Sequence, residues 1–128
     1  MIFGIGTDII EVSRIAEKLE KGNGFLKLVY SETEIQYCNS KANPSQHFAG
    51  TFAAKEAFLK ALRTGMYATF SLKEIEIINV EFGAPEIHLS KEIKTFTERT
   101  TGNSNFRIHV SISHTSQYAS ATVIIELF

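Results

Sequence analysis

Apolar side chains crowd one stretch of the chain on nearly every side. Phe48, Ala49, Phe52, Ala53, Ala54, Ala57, Phe58, Leu59, Ala61 and Leu62 cover almost the full circumference of a helix, and a helix apolar all round belongs inside a fold. Asn43 as N-cap, Pro44 at the first helical position and Gln46 three residues after the cap set its start. Its end falls near Leu62–Arg63, before Gly65. Three ionic residues interrupt it: Lys55, Glu56 and Lys60. An unpaired buried charge costs several kcal/mol or more, whereas an exposed Glu-to-Lys pair one turn apart returns only about 0.3–0.5 kcal/mol. Ordinary surface pairing therefore explains Glu56 poorly, and a metal ion or charged ligand explains it better.

The rest of the pattern divides in two. Residues 2–6 predict a short strand in which Gly4 and Gly6 admit another backbone or a ligand. Val12, Ile15, Ala16 and Leu19 recur at helical spacing, with Gly22 as terminator. Ser31-Glu32-Thr33-Glu34 has the form of a capping box opening a second short helix toward Asn39. Past the central helix, strands dominate. Glu74–Val80 and Glu86–Leu89 flank a turn at Gly83-Ala84-Pro85. Ser90 caps a helix carrying Ile93 and Phe96 and ending by Gly102. Phe106, Ile108, Val110 and Ile112 then alternate with Arg107, His109, Ser111 and Ser113. A turn at residues 114–117 leads into a last strand, Tyr118–Leu127. Consecutive strands at 74–89 and 106–127 pair as hairpins. The expected fold is α+β, a small antiparallel sheet around a long buried central helix, in one domain spanning residues 1–128.

Composition narrows the function classes. With 44% hydrophobic and 21% charged residues, the chain has an ordinary globular make-up. A net charge of −1 offers no global field for nucleic acid. One cysteine, Cys38, excludes an internal disulfide framework and suits a reducing compartment. Neither a membrane span nor a secretory leader is expected, and the cytoplasm is the expected location.

Several residues are placed for chemistry. Asp8 closes the opening strand ahead of a helix, where it either caps that helix or points into a cleft. Asp8 and Glu56 together suit Mg²⁺, which takes one or two protein carboxylates and completes its octahedron with water and substrate phosphate. Lys60, one turn beyond Glu56, is either a helix salt bridge or an ammonium set against phosphate. Lys55 lies in the apolar stripe; its stem snorkels along that surface, or its ammonium meets an anion where two subunits join. His114 after Ser113 reads as a turn residue, and His47, His88 and His109 show no zinc spacing and read as structural or exposed. Arg14, Lys18 and Lys21 form a basic ridge on the first helix, flanked by Glu11, Glu17 and Glu20. That ridge is either a solvated mixed-charge face or a docking strip for an acidic helix. Neither a nucleophile elbow, a P-loop nor a complete dinucleotide fingerprint is present.

Three stretches together resemble the holo-acyl-carrier-protein synthase family of 4′-phosphopantetheinyl transferases. They are Gly4-Ile5-Gly6-Thr7-Asp8-Ile9-Ile10-Glu11-Val12-Ser13-Arg14-Ile15, then Phe48-Ala49-Gly50-Thr51-Phe52-Ala53-Ala54-Lys55-Glu56-Ala57, then Val110-Ser111-Ile112-Ser113-His114-Thr115. The resemblance implies transfer of phosphopantetheine from coenzyme A to a serine of an apo acyl carrier protein. It implies Mg²⁺ (Mn²⁺ as a substitute) on Asp8 and Glu56, with Glu56 and Lys60 as catalytic residues. For coenzyme A it implies contacts from Lys60, Thr64, Gly65, Met66, Gly83, Pro85, Ser113, His114 and Thr115, and for the carrier protein docking at Arg14, which favours the docking reading of the ridge it shares with Lys18 and Lys21. It also implies a homotrimer with sites between subunits. The chain departs from the family pattern at Thr51, where arginine is common, at Arg63, where glycine is frequent, and at Ala84, where lysine is usual. Arg63 and Lys55 are the expected replacements for the missing cations. A trimeric nucleotide-binding module without catalysis and a Mg²⁺-dependent phosphohydrolase are the competing functions.

Overall fold

The computed structural model describes residues 1–64 and 70–128. Among the described residues, five α-helices and five strands follow in the order β1 (Ile2–Glu11), α1 (Val12–Glu20), α2 (Phe25–Val29), α3 (Glu32–Asn39), α4 (Pro44–Ala61), β2 (Ile75–Asn79), β3 (Pro85–Leu89), α5 (Lys91–Thr101), β4 (Phe106–His114) and β5 (Tyr118–Leu127). The fold is α+β. A three-stranded antiparallel sheet in the order β1-β5-β4 covers α4, and β2 and β3 form a separate hairpin. The two expected hairpins both form, and β1 closes the larger sheet by pairing with β5.

Helix α4 is the core. Ala53, Ala54, Ala57, Phe58 and Ala61 are inaccessible to solvent, clustered with Val123 and Ile125 of β5 and Ile75 and Ile77 of β2, while Ala49 joins a second cluster with Ile15, Tyr30 and Cys38. Small residues on α4 let β1 come close. A Cβ on Gly4 would collide with the carbonyl of Ala61, and one on Gly6 with the carbonyl of Ala57. The paired glycines thus admit a helix backbone, and they fix where β1 lies along α4.

Local signals act mostly as expected. Ser31 and Glu34 form a reciprocal capping box at α3, and Ser90 Oγ accepts the Ile93 amide at α5. Gly102 ends α5 in the left-handed region, φ 71°. Two expectations need correction. Asn43 occupies the N-cap position of α4, but its side chain makes no cap hydrogen bond. The opening strand does not stop at residue 6; it runs to Glu11, because Thr7, Asp8, Ile9 and Ile10 all pair with β5. None of the helices in the described residues is long and apolar enough to cross a membrane.

Candidate active site

Strand alternation aims Asp8. Gly4, Gly6, Asp8 and Ile10 face inward while Ile5 and Ile9 lie outward, 64% and 68% exposed. Asp8 therefore sits inside a strand, opposite Ala121, and its carboxylate points toward α4 instead of capping α1. There Lys60 Nζ donates to Asp8 Oδ1 at 3.1 Å and to the Thr7 carbonyl at 2.9 Å. The Asp8 side chain is 17% exposed and that of Lys60 56%, so the pair is rooted in the fold and open at its tip. Glu56, half-buried, precedes Lys60 by one helical turn and leaves α4 on the same edge. Asp8 and Lys60 thus meet where β1 crosses the C-terminal half of α4, and Glu56 lies one helical turn before Lys60.

Among the described residues, no group of three or more His, Cys, Asp or Glu side chains could hold a metal. A cation here would rest on the two acids and take its remaining ligands from phosphate and water. That hard, all-oxygen, partly filled donor set fits Mg²⁺.

A second feature lies on the far flank of α4. A recess of about 140 Å³ is lined by Tyr37, His47, Thr51, Gly83, Pro85 and His114, among others. The His47 and His114 rings meet edge to face with centroids 4.9 Å apart. Three expected nucleotide contacts, Gly83, Pro85 and His114, come together here. Ser113 and Thr115 do not join them. Together with the outer edge of His114 they border a different recess, with Ile9, Tyr118 and Ser120. Successive strand residues face opposite sides, which separates Ser113 from the His47 side. The Thr115 hydroxyl accepts the Gln117 and Tyr118 amides within the turn. Thr64 follows α4, its amide on the Leu59 carbonyl. Gly65 and Met66 lie outside the described residues.

Lys55 is corrected. Its side chain is wholly buried, with Nζ 2.8 Å from Glu34 Oε1 and 2.9 Å from the Leu72 carbonyl. Its ammonium is committed inside the subunit, and no second subunit is needed to supply its anion. The signal was present in the capping box: Glu34 was legible as a cap but not as a counterion. Its carboxylate also accepts the Ser31 and Ile77 amides, at 2.8 and 2.7 Å. Burial pushes the Glu34 carboxyl up and the Lys55 ammonium down, while their mutual attraction resists both. Arg63 is engaged as well: its guanidinium donates to the Phe3 carbonyl at 2.7 Å and lies 4.8 Å from the Phe3 ring centroid. Neither expected substitute for the cation missing at Thr51 reaches the recess. Arg14, Lys18 and Lys21 are all exposed along α1, and Lys18 Nζ lies 5.5 Å from the Phe25 ring centroid.

The geometry has relatives. The model of the 4′-phosphopantetheinyl transferase superfamily matches residues 4–123, and the chain belongs to that family. The holo-[acyl-carrier-protein] synthase of Clostridium perfringens (strain 13 / Type A) is 42% identical over 127 residues, 98% of this chain and 95% of the relative. The holo-[acyl-carrier-protein] synthase of Neisseria meningitidis superposes with a TM-score of 0.85 at 32% identity, over 98% of this chain and 99% of the other. Its Helicobacter pylori counterpart, solved in complex with coenzyme A, gives 0.79 at 34% identity, over 95% and 99%.

Proposed function

We propose that this protein is a holo-acyl-carrier-protein synthase. It moves 4′-phosphopantetheine from coenzyme A to a serine of an apo acyl carrier protein, of the kind used in fatty acid biosynthesis, and releases adenosine 3′,5′-bisphosphate. The observation that carries this reading is the Asp8–Lys60 pair, 3.1 Å apart, with Glu56 one turn away on the same edge of α4.

Asp8 and Glu56 would hold Mg²⁺, which neutralises charge on the pyrophosphate of coenzyme A. Two of the three Lys60 N–H groups are tied to Thr7 and Asp8. The third is available to the bridging or leaving oxygen, where negative charge develops. Glu56 takes the proton of the carrier serine. The serine oxygen bonds to the phosphorus that carries pantetheine, and the bond from that phosphorus to the nucleotide phosphate breaks. Such a reaction asks for alignment and charge neutralisation, and no covalent group from the enzyme.

The rest of the site comes from a second copy of the chain. At about 100° per residue, Glu56 lies about 140° round α4 from Thr51, and Lys60 the same angle from His47. The helix itself separates the acids from the nucleotide recess in one subunit. Exposed Ile5 and Ile9 on the outer face of β1 give the sheet an apolar surface for self-association. A homotrimer joins one subunit's acids to the next subunit's recess. The exposed ridge of Arg14, Lys18 and Lys21 then docks the acidic carrier helix. We assign the reaction to the cytoplasm, consistent with the buried free thiol of Cys38.

Incubation with coenzyme A, Mg²⁺ and an apo carrier protein, followed by mass spectrometry of the carrier, tests the assignment. A gain of the phosphopantetheine mass is expected. Free phosphopantetheine would mean hydrolysis, and an unmodified carrier would mean binding alone. Glu56→Gln should lower transfer about 10²–10⁴-fold without unfolding the protein. Wild-type turnover in that variant, at saturating Mg²⁺, would remove Glu56 from the chemistry.

A further inference from the structure

His47 stands in the first turns of α4, half-buried, with its ring between two others. His114 of β4 meets it at 4.9 Å and 64°, and Tyr37 of α3 at 6.0 Å and 76°. Lys41, just past α3, holds its ammonium 4.6 Å from the Tyr37 ring centroid. The β2–β3 side of the recess contributes the Asn79 amide, which donates to the Gly83 carbonyl. The titratable and charged groups facing His47 among the described residues are therefore His114, Tyr37 and Lys41, and no carboxylate lines the recess. Thr51, one turn further along α4, carries only a hydroxyl, 3.9 Å from Cys38 Sγ.

Among the described residues the recess presents two imidazoles and no acid to balance a charge on them. Burial, His114 and Lys41 hold His47 below the usual histidine range, so the ring rests neutral. A dianion lying in the recess against both imidazoles would reverse that preference and draw a proton onto His47. The cations offered elsewhere are committed: Lys55 to Glu34, Arg63 to the Phe3 carbonyl.

We infer that His47, paired with His114, is the phosphate-binding cation of this recess, holding the ribose 3′-phosphate of the coenzyme in place of the charge that Thr51 does not supply. The assignment rests on the function proposed above and adds the residue that sets nucleotide preference in this chain. It makes recognition proton-linked. Affinity for the 3′-phosphate rises as pH falls through the pKa His47 has in the complex. It levels off once His47 is already charged in the free protein.

Calorimetric titration of the intact protein tests this without turnover. Adenosine 3′,5′-bisphosphate and adenosine 5′-monophosphate are titrated at about pH 6 and about pH 8, in buffers of different ionisation enthalpy. The wild type should prefer the bisphosphate, about tenfold more at the lower pH, with proton uptake on binding. His47→Gln should lose the pH-dependent part of that preference and the uptake. His47→Lys should restore the preference at both pH values, without uptake. The ligand's own phosphate titration is common to all three proteins and cancels between them. His47→Gln with the wild-type preference and uptake would overturn the inference, as would a wild type indifferent to the 3′-phosphate. Failure of the carrier-modification assay alongside the expected calorimetry would sink the transferase reading and leave the phosphate subsite standing.

Discussion

Two lysines five residues apart on α4 meet opposite fates. Lys55 is wholly buried against Glu34; Lys60 is more than half exposed and holds Asp8 at the surface. At 100° per residue the two point about 140° apart. One enters the seam between α3, α4 and β2; the other follows the edge along which β1 runs. The buried pair is closed. Glu34 accepts three hydrogen bonds and Lys55 donates to a carboxylate and a carbonyl, leaving little for any ligand. The exposed pair is less complete: among the described residues Lys60 donates to the Thr7 carbonyl and Asp8 alone, one helical turn beyond Glu56. Burial marks the structural charge here, and partial exposure marks the one proposed for the chemistry.

The sharpest way to break that contrast is to remove one partner of the closed pair. Lys55→Ala should cost about 3–5 kcal/mol, because it leaves the Glu34 carboxylate buried without its cation. Denaturant unfolding measures it. The double change Lys55→Met with Glu34→Gln should recover a large part of the loss, since neither charge then remains in the interior. Equal losses in the single and double variants would show that the pair's geometry, and not its charge balance, holds α3 to α4.

Lys60→Ala should behave in the opposite way. An exposed ion pair contributes at most about 1 kcal/mol to stability, so unfolding should barely move. Transfer should fall about 10²-fold, the scale of losing one oriented donor at a site of developing charge. Steady-state kinetics with a carrier protein, set beside the unfolding curves, reads both. A variant that unfolds easily yet transfers normally would exchange the roles assigned to the two lysines.

The sequence carried the outline of this arrangement and hid its pairings. Helix α4 was legible because apolar residues surround it, and β4 because apolar and polar residues alternate cleanly. Asp8 and Glu56 are legible through the first two motif stretches, and Lys60 through its place one turn beyond Glu56. What stayed hidden depends on contacts across long separations. Glu34 and Lys55 are 21 residues apart, and no local rule joins a capping carboxylate to a lysine on another helix. His47 and His114 belong to a helix and to a strand near the chain's end, so each looked solitary. Asp8 reads as a strand terminus because helical spacing begins a few residues later; pairing with β5 carries the strand on to Glu11.

The Asp8–Lys60 pair also depends on how close β1 comes to α4. Gly6→Ala places a methyl against the Ala57 carbonyl, and that backbone oxygen cannot step aside. The strand must lift, at about 1–3 kcal/mol, and Asp8 two residues on moves with it. Stability and transfer should fall together in this variant, unlike Lys60→Ala. The Lys55–Glu34 pair lies on the other flank and should keep its geometry, so Lys55→Ala and Gly6→Ala should add in a double variant. A coupling well above about 0.5 kcal/mol would mean that α4 transmits displacement from one flank to the other.

The smallest effect is expected where α4 ends. Arg63 follows the C-cap Leu62 with φ 63°, a left-handed conformation that glycine adopts freely and arginine adopts at a cost of about 1–2 kcal/mol. Its amide closes the helix on the Lys60 carbonyl, and the Thr64 amide reaches Leu59. Side-chain contacts offset the strain: the guanidinium donates to the Phe3 carbonyl and stacks on the Phe3 ring. Arg63→Gly relaxes the backbone and loses both contacts, so the net change in stability should stay within about 1 kcal/mol. Arg63→Ala loses the contacts and keeps the strain, and should be the less stable of the two. Matching midpoints for the alanine and glycine variants would mean that the left-handed turn carries no strain. Nucleotide affinity should be unchanged in both, because the guanidinium is held at β1 and not at the His47 recess. A clear loss would return Arg63 to the phosphate and weaken the case for His47.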